Sequence, residues 1–196
     1  LKALEADLNA KEIKLEQLSK DLESREQRVK ELEGIIAAQD AQVKALKDKI
    51  AQALLAFKDK GLTVEERNGK VYVSLEAKLL FASGSTKVDK EGKQALIDLA
   101  KILETENELE IVVEGHTDSD ALRSSAHPKN NWELSVLRAT SVVEIMLANS
   151  DMSEKTLSAS GRSEYHPVDP TDKAKNRRIE IILTPKLDEL YEIISK

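Results

Sequence analysis

Asp118 and Arg138 are the two residues whose types and placement point most directly to chemistry. An apolar run, Leu109-Glu110-Ile111-Val112-Val113, turns sharply polar at Glu114-Gly115-His116-Thr117-Asp118. The β-branched content of that run suits a strand, which puts Asp118 just past its C-terminal end. About a dozen polar residues follow, and then Leu134, Leu137, Val142 and Ile145 recur at helical spacing, with Arg138 about two turns into that helix. Open α/β sheets bind ligands at such strand ends. A fixed carboxylate and a fixed guanidinium facing one cleft suit a zwitterion, whose ammonium meets the acid and whose carboxylate meets the arginine through two parallel hydrogen bonds. Each residue also has a structural reading. Asp118 could cap a turn, and an arginine on a helix is commonly a solvated surface charge. Leu134, Leu137, Ala139 and Val142 around Arg138 weigh against the second, because an unpaired charge is costly in apolar surroundings.

Other polar residues of the stretch take supporting roles. Asn131 opens the helix and is a natural N-cap. Ser135, one turn before Ala139, is small enough for close packing. Thr117 could offer its backbone N–H to a ligand. His116, His127 and His166 lack metal-ligand spacing on any one element, so no metal or other cofactor is expected. No nucleophile–base–acid order and no isolated carboxylate pair stands out, which points to a binding module and not to an enzyme.

Three ordered motifs carry a family resemblance. They are Gly115-His-Thr-Asp118, then Asn131, Leu134, Ser135, Arg138 and Ala139 in the pattern N-x-x-L-S-x-x-R-A, and finally Asn176-Arg177-Arg178. Together they resemble the OmpA-like (OmpA/MotB C-terminal) peptidoglycan-binding domain. Leu80-Phe81 and Gly84-Ser85 resemble a further stretch of it. The resemblance implies a non-enzymatic domain that grips the diaminopimelate of the peptidoglycan stem peptide, a residue whose free end is a zwitterion. It implies Asp118 as the ammonium acceptor and Arg138 as the carboxylate clamp, with Thr117, Asn131, Ser135, Asn176 and Arg178 completing the ligand set. Arg177 reads as surface. The Ser119–Asn130 loop is about five residues longer than in the simplest members of the family.

The elements that must hold these residues fall into three segments. Over residues 1–58 a heptad runs without a break, one seam reading Leu1, Leu8, Leu15, Leu22, Val29, Ile36, Val43, Ile50 and Phe57. A seven-residue period kept this long implies a left-handed coiled coil, roughly 85 Å of helix. The second seam carries Lys11, Arg25 and Gln39, which either snorkel or restrict register and oligomer state. Residues 62–185 read as an α+β domain, a two-layer α/β sandwich with a mixed sheet of about four strands and two main helices. Residues 186–196, with Leu187, Leu190, Tyr191 and Ile194 at helical spacing, read as a C-terminal helical tail.

Composition limits the partners. The net charge of −6 shows no basic stripe and argues against nucleic acid. No cysteine is present. No run of 18 apolar residues spans a membrane. The chain opens on Leu1 inside the repeat, which reads as a piece of a longer protein whose export or anchoring segment lies outside it. What the resemblance implies is a periplasmic, envelope-associated anchor, tethered at the outer membrane of a Gram-negative cell. Its partners are peptidoglycan and, through the coil, a second copy. The alternative is a coiled-coil assembly protein whose globular domain serves chiefly for docking. A wall hydrolase is the weakest reading.

Overall fold

A computed structural model describes residues 2–106, 108–122 and 126–186. The expected C-terminal helix lies outside the described residues, as do three positions of the long loop. The chain divides into two units, one comprising residues 1–41 together with 187–196 and the other residues 42–186.

The first described element is one helix, α1 (Lys2–Ala53). Within residues 2–41 the seam side chains Leu4, Leu8, Leu15, Leu22, Val29 and Ile36 are solvent-exposed. From Gln42 onward the helix belongs with the globular unit, and the same seam changes its role there. Val43, Leu46, Ile50, Leu54 and Phe57 are buried in the core of that unit. The helix gives way to a 3₁₀ segment, Leu55–Lys60, closed by Gly61 at φ 95°. A Cβ at Gly61 would meet the Glu76 side chain at 2.8 Å, so both backbone and space call for glycine.

Five strands follow, one more than expected, because Leu62-Thr63-Val64 extends into a full strand. They are β1 (Leu62–Arg67), β2 (Lys70–Glu76), β3 (Leu109–His116), β4 (Leu157–Gly161) and β5 (Arg178–Pro185). Asn68 and Gly69 take φ of 52° and 70°, as a two-residue hairpin turn between β1 and β2 requires. The spatial order is β1-β2-β5-β3-β4. Only β3–β4 is parallel, joined by the crossover helix α4 (Asn131–Ala148), while β5 lies antiparallel between β2 and β3. A one-turn helix α2 (Ala77–Leu80) and α3 (Lys90–Leu103) connect β2 to β3, and a second single turn, α5 (Lys173–Asn176), precedes β5.

Alternation along the strands sorts the sheet into an apolar and a polar face. Val71, Val73 and Leu75 of β2 pair in register with Leu183, Ile181 and Ile179 of β5, which in turn oppose Ile111 and Val113 of β3. These side chains are buried and join Leu96, Leu99, Ala139, Val142 and Met146 of α3 and α4 in one core. Burying each of the larger ones contributes about 1.5–3 kcal/mol. The other face carries Tyr72, Ser74, Glu114, His116, Arg178, Glu180 and Ile182. At the end of β3 the helix comes very close. A Cβ on Gly115 would lie 2.1 Å from the Ser135 carbonyl oxygen, and one on Gly161 would lie 2.4 Å from Ser135 Oγ. Two glycines facing one serine thus let α4 press against β3 and β4, which fixes how far its first turns stand from the strand end.

Candidate functional site

Where β3 ends, a cleft of about 510 Å³ opens between four chain segments. Its walls are α2 with the connection to α3 (Ala77, Lys78, Phe81, Ser83, Gly84), the loop after β3 (Thr117, Asp118, Asp120–Leu122), the start of α4 (Asn131, Leu134, Arg138) and Arg177. Asp118, Arg138, Asn131 and Thr117, singled out in the sequence, meet here.

Arg138 is held in an unusual state for a guanidinium. It is only 4% exposed. Its Nε donates to the Ser85 carbonyl at 2.9 Å, and the group stacks over the Phe81 ring at 4.8 Å. It makes no ion pair among the described residues. Burial pulls its pKa down to about 10, Arg177 nearby acts in the same direction, and Asp118 opposes them. The group is thus charged at neutral pH, desolvated, oriented by a carbonyl and a ring, and without a carboxylate partner among the described residues.

Asp118 is also buried. One carboxylate oxygen accepts the Asp120 backbone N–H at 3.0 Å, which shapes the turn, and the other accepts from Arg177 Nη1. Arg177, read as a surface residue from the sequence, therefore stands in the cleft as the acid's partner. Its backbone carbonyl meanwhile receives the Ala77 N–H, which ties the start of β5 to α2. Asp118 and Arg138 do not pair with each other.

The remaining sequence-derived residues divide between cleft and scaffold. Asn131 is not the N-cap. Asn130 holds that place, its side chain accepting the Glu133 N–H at 3.0 Å. Asn131 instead turns into the site and donates to the carbonyls of Asp118 and Asp120, at 3.3 and 3.0 Å, and to Glu164 Oε2 at 2.9 Å. The Thr117 backbone N–H is not open to a ligand, because it donates to the Ser163 carbonyl at 2.8 Å. Ser135 lies outside the cleft, fully buried, donating to the Trp132 carbonyl and accepting the Ser163 N–H. Asn176 lies outside it as well. Its Oδ1 accepts from the backbone of Val168 and Asp169, and its Nδ2 donates to the Asp169 carbonyl, so it moulds the loop before α5.

Arg178 belongs to a different cluster, on the polar face of the sheet. There Glu114 of β3 stands directly opposite Glu180 of β5, and His116 opposite Arg178. Like charges in register repel, and guanidiniums resolve the conflict. Arg178 Nε donates to Glu180 at 2.9 Å, and Arg162 Nε donates to Glu114 at 2.8 Å. His116, 3% exposed, places Nε2 at 3.3 Å from Glu114 and 3.8 Å from Glu180. The His116 ring and then Arg162 hold the Glu114 carboxyl down to about 2 against the opposing effect of burial. Glu114, His116 and Glu180 are of metal-ligand type and converge. Their carboxylates already face arginines, so a cation would arrive among positive charges.

Comparison with known proteins agrees with this architecture. The OmpA family matches residues 80–180. Motility protein B of Bacillus subtilis is 30% identical over 118 residues, which are 58% of this chain and 45% of that protein. The chain spans about half the length of the curated relatives it matches. Among solved structures, the periplasmic domain of Helicobacter pylori MotB superposes with a TM-score of 0.64 at 26% identity, covering 71% of this chain and 89% of that one. The cell wall anchor of the T6SS from Pseudomonas aeruginosa does so with a TM-score of 0.62 at 29% identity, covering 70% and 97%.

Proposed function

The chain belongs to the OmpA family, and from that premise we propose that its globular unit is a non-enzymatic anchor that binds peptidoglycan in the periplasm through the diaminopimelate of the stem peptide. The observation that carries the reading is Arg138, a buried guanidinium with no ion pair among the described residues, beside a cleft that also holds Asp118. A ligand carboxylate would remove the penalty of that desolvated charge. The ligand ammonium would take the Asp118 oxygen that Arg177 occupies in the free protein. Relatives whose names are those of a motility protein, a periplasmic MotB domain and a cell wall anchor support the same reading. None of those names points to the outer membrane, and the membrane of attachment forms no part of the proposal.

The exposed seam of residues 2–41 fits a second copy in a coiled coil, which would raise avidity for a polymeric wall without new contacts. Sedimentation of the chain at micromolar concentration tests this, and a monomer there would remove the avidity argument. The competing reading, a coiled-coil scaffold whose globular unit only docks, draws on the same seam. Calorimetric titration with meso-diaminopimelate, wild type beside Asp118→Ala and Arg138→Ala, separates the two. Binding by the wild type alone upholds the anchor. No heat from the wild type, together with no retention on intact sacculi, favours the scaffold.

A further inference from the structure

An aromatic pair, on the residues that follow Asn131 of the cleft wall and its hydrogen-bond partner Glu164, is not used by the zwitterion clamp. Trp132, the only tryptophan of the chain, is 50% exposed, and Tyr165, one of three tyrosines, is 65% exposed. Their rings lie 5.8 Å apart and are inclined by 33°. Aromatics make up only 3% of the sequence, and the single largest of them faces solvent on the outer side of the first turn of α4. Burying such a ring is among the larger sources of stability open to a domain, and Trp132 together with Tyr165 leaves that surface available to a ligand.

The pair is also rigidly mounted. Ser135 Oγ donates to the Trp132 carbonyl and accepts the N–H of Ser163, tying together the two segments that bear the rings. Asn131, next to Trp132, donates to Glu164, next to Tyr165, and to the two carbonyls of the cleft wall. One side chain thus links the wall of the cleft to the chain neighbours of both ring residues.

We infer that Trp132 and Tyr165 form a stacking platform for an N-acetylated sugar ring of the glycan strand, beside the cleft that takes its stem peptide. This inference rests on the peptidoglycan reading above. A pyranose has one face of C–H bonds and a polar rim, and those slightly positive hydrogens match the negative face of an aromatic ring. Two rings offer the area of one sugar, far below the 1,000 Å² or so that a stable protein interface needs. The net charge of −6 argues against a stacked nucleobase.

Because Trp132 is the only tryptophan, its fluorescence reports the platform directly. The whole chain would be titrated with three probes, a disaccharide-tripeptide carrying diaminopimelate, the same tripeptide without sugars, and a chitin-type oligosaccharide. Affinities of the wild type, Tyr165→Ala and Trp132→Phe would be compared by calorimetry, because the last variant lacks the fluorophore, after thermal unfolding has confirmed each fold. The disaccharide should tighten tripeptide binding by about fivefold to tenfold in the wild type. That gain should vanish in Tyr165→Ala and largely survive in Trp132→Phe, while tripeptide affinity stays unchanged in both. Equal wild-type affinity for the two peptide probes overturns the platform and leaves the clamp standing. A Trp132 response to the oligosaccharide with no binding of the tripeptide upholds the platform and overturns the clamp. Silence with all three probes overturns both.

Discussion

The cleft and the charge ladder across β3 and β5 use the same side chains, acids and guanidiniums, and most of these are buried. They differ in how completely the charges answer one another. On the ladder, Glu114 and Glu180 each have an arginine, and His116 sits between them. In the cleft, Asp118 has Arg177, about as exposed as Arg162 of the ladder, and the difference lies in Arg138, which makes no ion pair among the described residues. A buried charge with all its partners in place is a fastening, since removing one member leaves the other uncompensated. A buried charge short of a partner is a candidate binding position.

The largest effect expected from this contrast is on the ladder. Arg178→Ala leaves Glu180 buried without its closest guanidinium and should destabilise the domain by about 3–5 kcal/mol, read by urea unfolding. Affinity of the folded fraction for diaminopimelate should change by less than about threefold, an effect under 1 kcal/mol. Unchanged stability with lost binding would return Arg178 to the ligand set that the family resemblance assigns it, and the contrast would break.

Arg138→Ala should do the reverse. Without the guanidinium the ligand carboxylate has no charged donor, and calorimetry should show binding weakened by about 1.5–3 kcal/mol, or roughly 10-fold to 150-fold. Stability in the absence of ligand should hold or rise, because a desolvated cation has been removed. A marked loss of stability would mean that the Ser85 carbonyl and the Phe81 ring depend on Arg138 as a fastening.

Acid titration sharpens the contrast from the ladder side. The Glu114 carboxyl lies near 2 in the fold against an ordinary value of 4.5. The folded pKa is depressed, so its contribution is fully present above pH 4.5 and is lost as the pH falls towards 2. Chemical denaturation across that window should show stability falling by on the order of 2 kcal/mol from this group, and Glu114→Gln should flatten the slope.

Much of the cleft was legible in the sequence, because Asp118 and Arg138 sit at fixed offsets from a strand end and within a helix whose periods are plain. The resemblance assigns Arg178 to the ligand set and leaves Arg177 at the surface, and periodicity alone does not separate the two. Successive residues entering a strand point to opposite faces, so one of two adjacent arginines enters the cleft and the other joins the ladder, and only the register of β5 against β2 and β3 decides which. Asn130 and Asn131 pose the same difficulty at the start of α4, where both can cap and the turn selects the first. The heptad hid a different change. Its period runs unaltered from Leu1 to Phe57, but a period does not name what covers the seam. From Leu4 to Ile36 the seam lies open, and from Val43 it is buried in the core of the unit that follows.

The smallest effect should come from Arg177, and its sign tests what role its pairing with Asp118 plays. On the proposed reading, an incoming ammonium would compete with Arg177 for one oxygen of Asp118. Arg177 is partly exposed, so solvent screens the pair and its worth is limited to about 0–1 kcal/mol. Arg177→Ala should therefore tighten diaminopimelate binding by no more than about fivefold, with the gain shrinking as salt is added. Calorimetry at two ionic strengths reads both. Weaker binding in the variant would show that Arg177 contacts the ligand carboxylate alongside Arg138, making it a second arm of the clamp and not the occupant the ligand displaces.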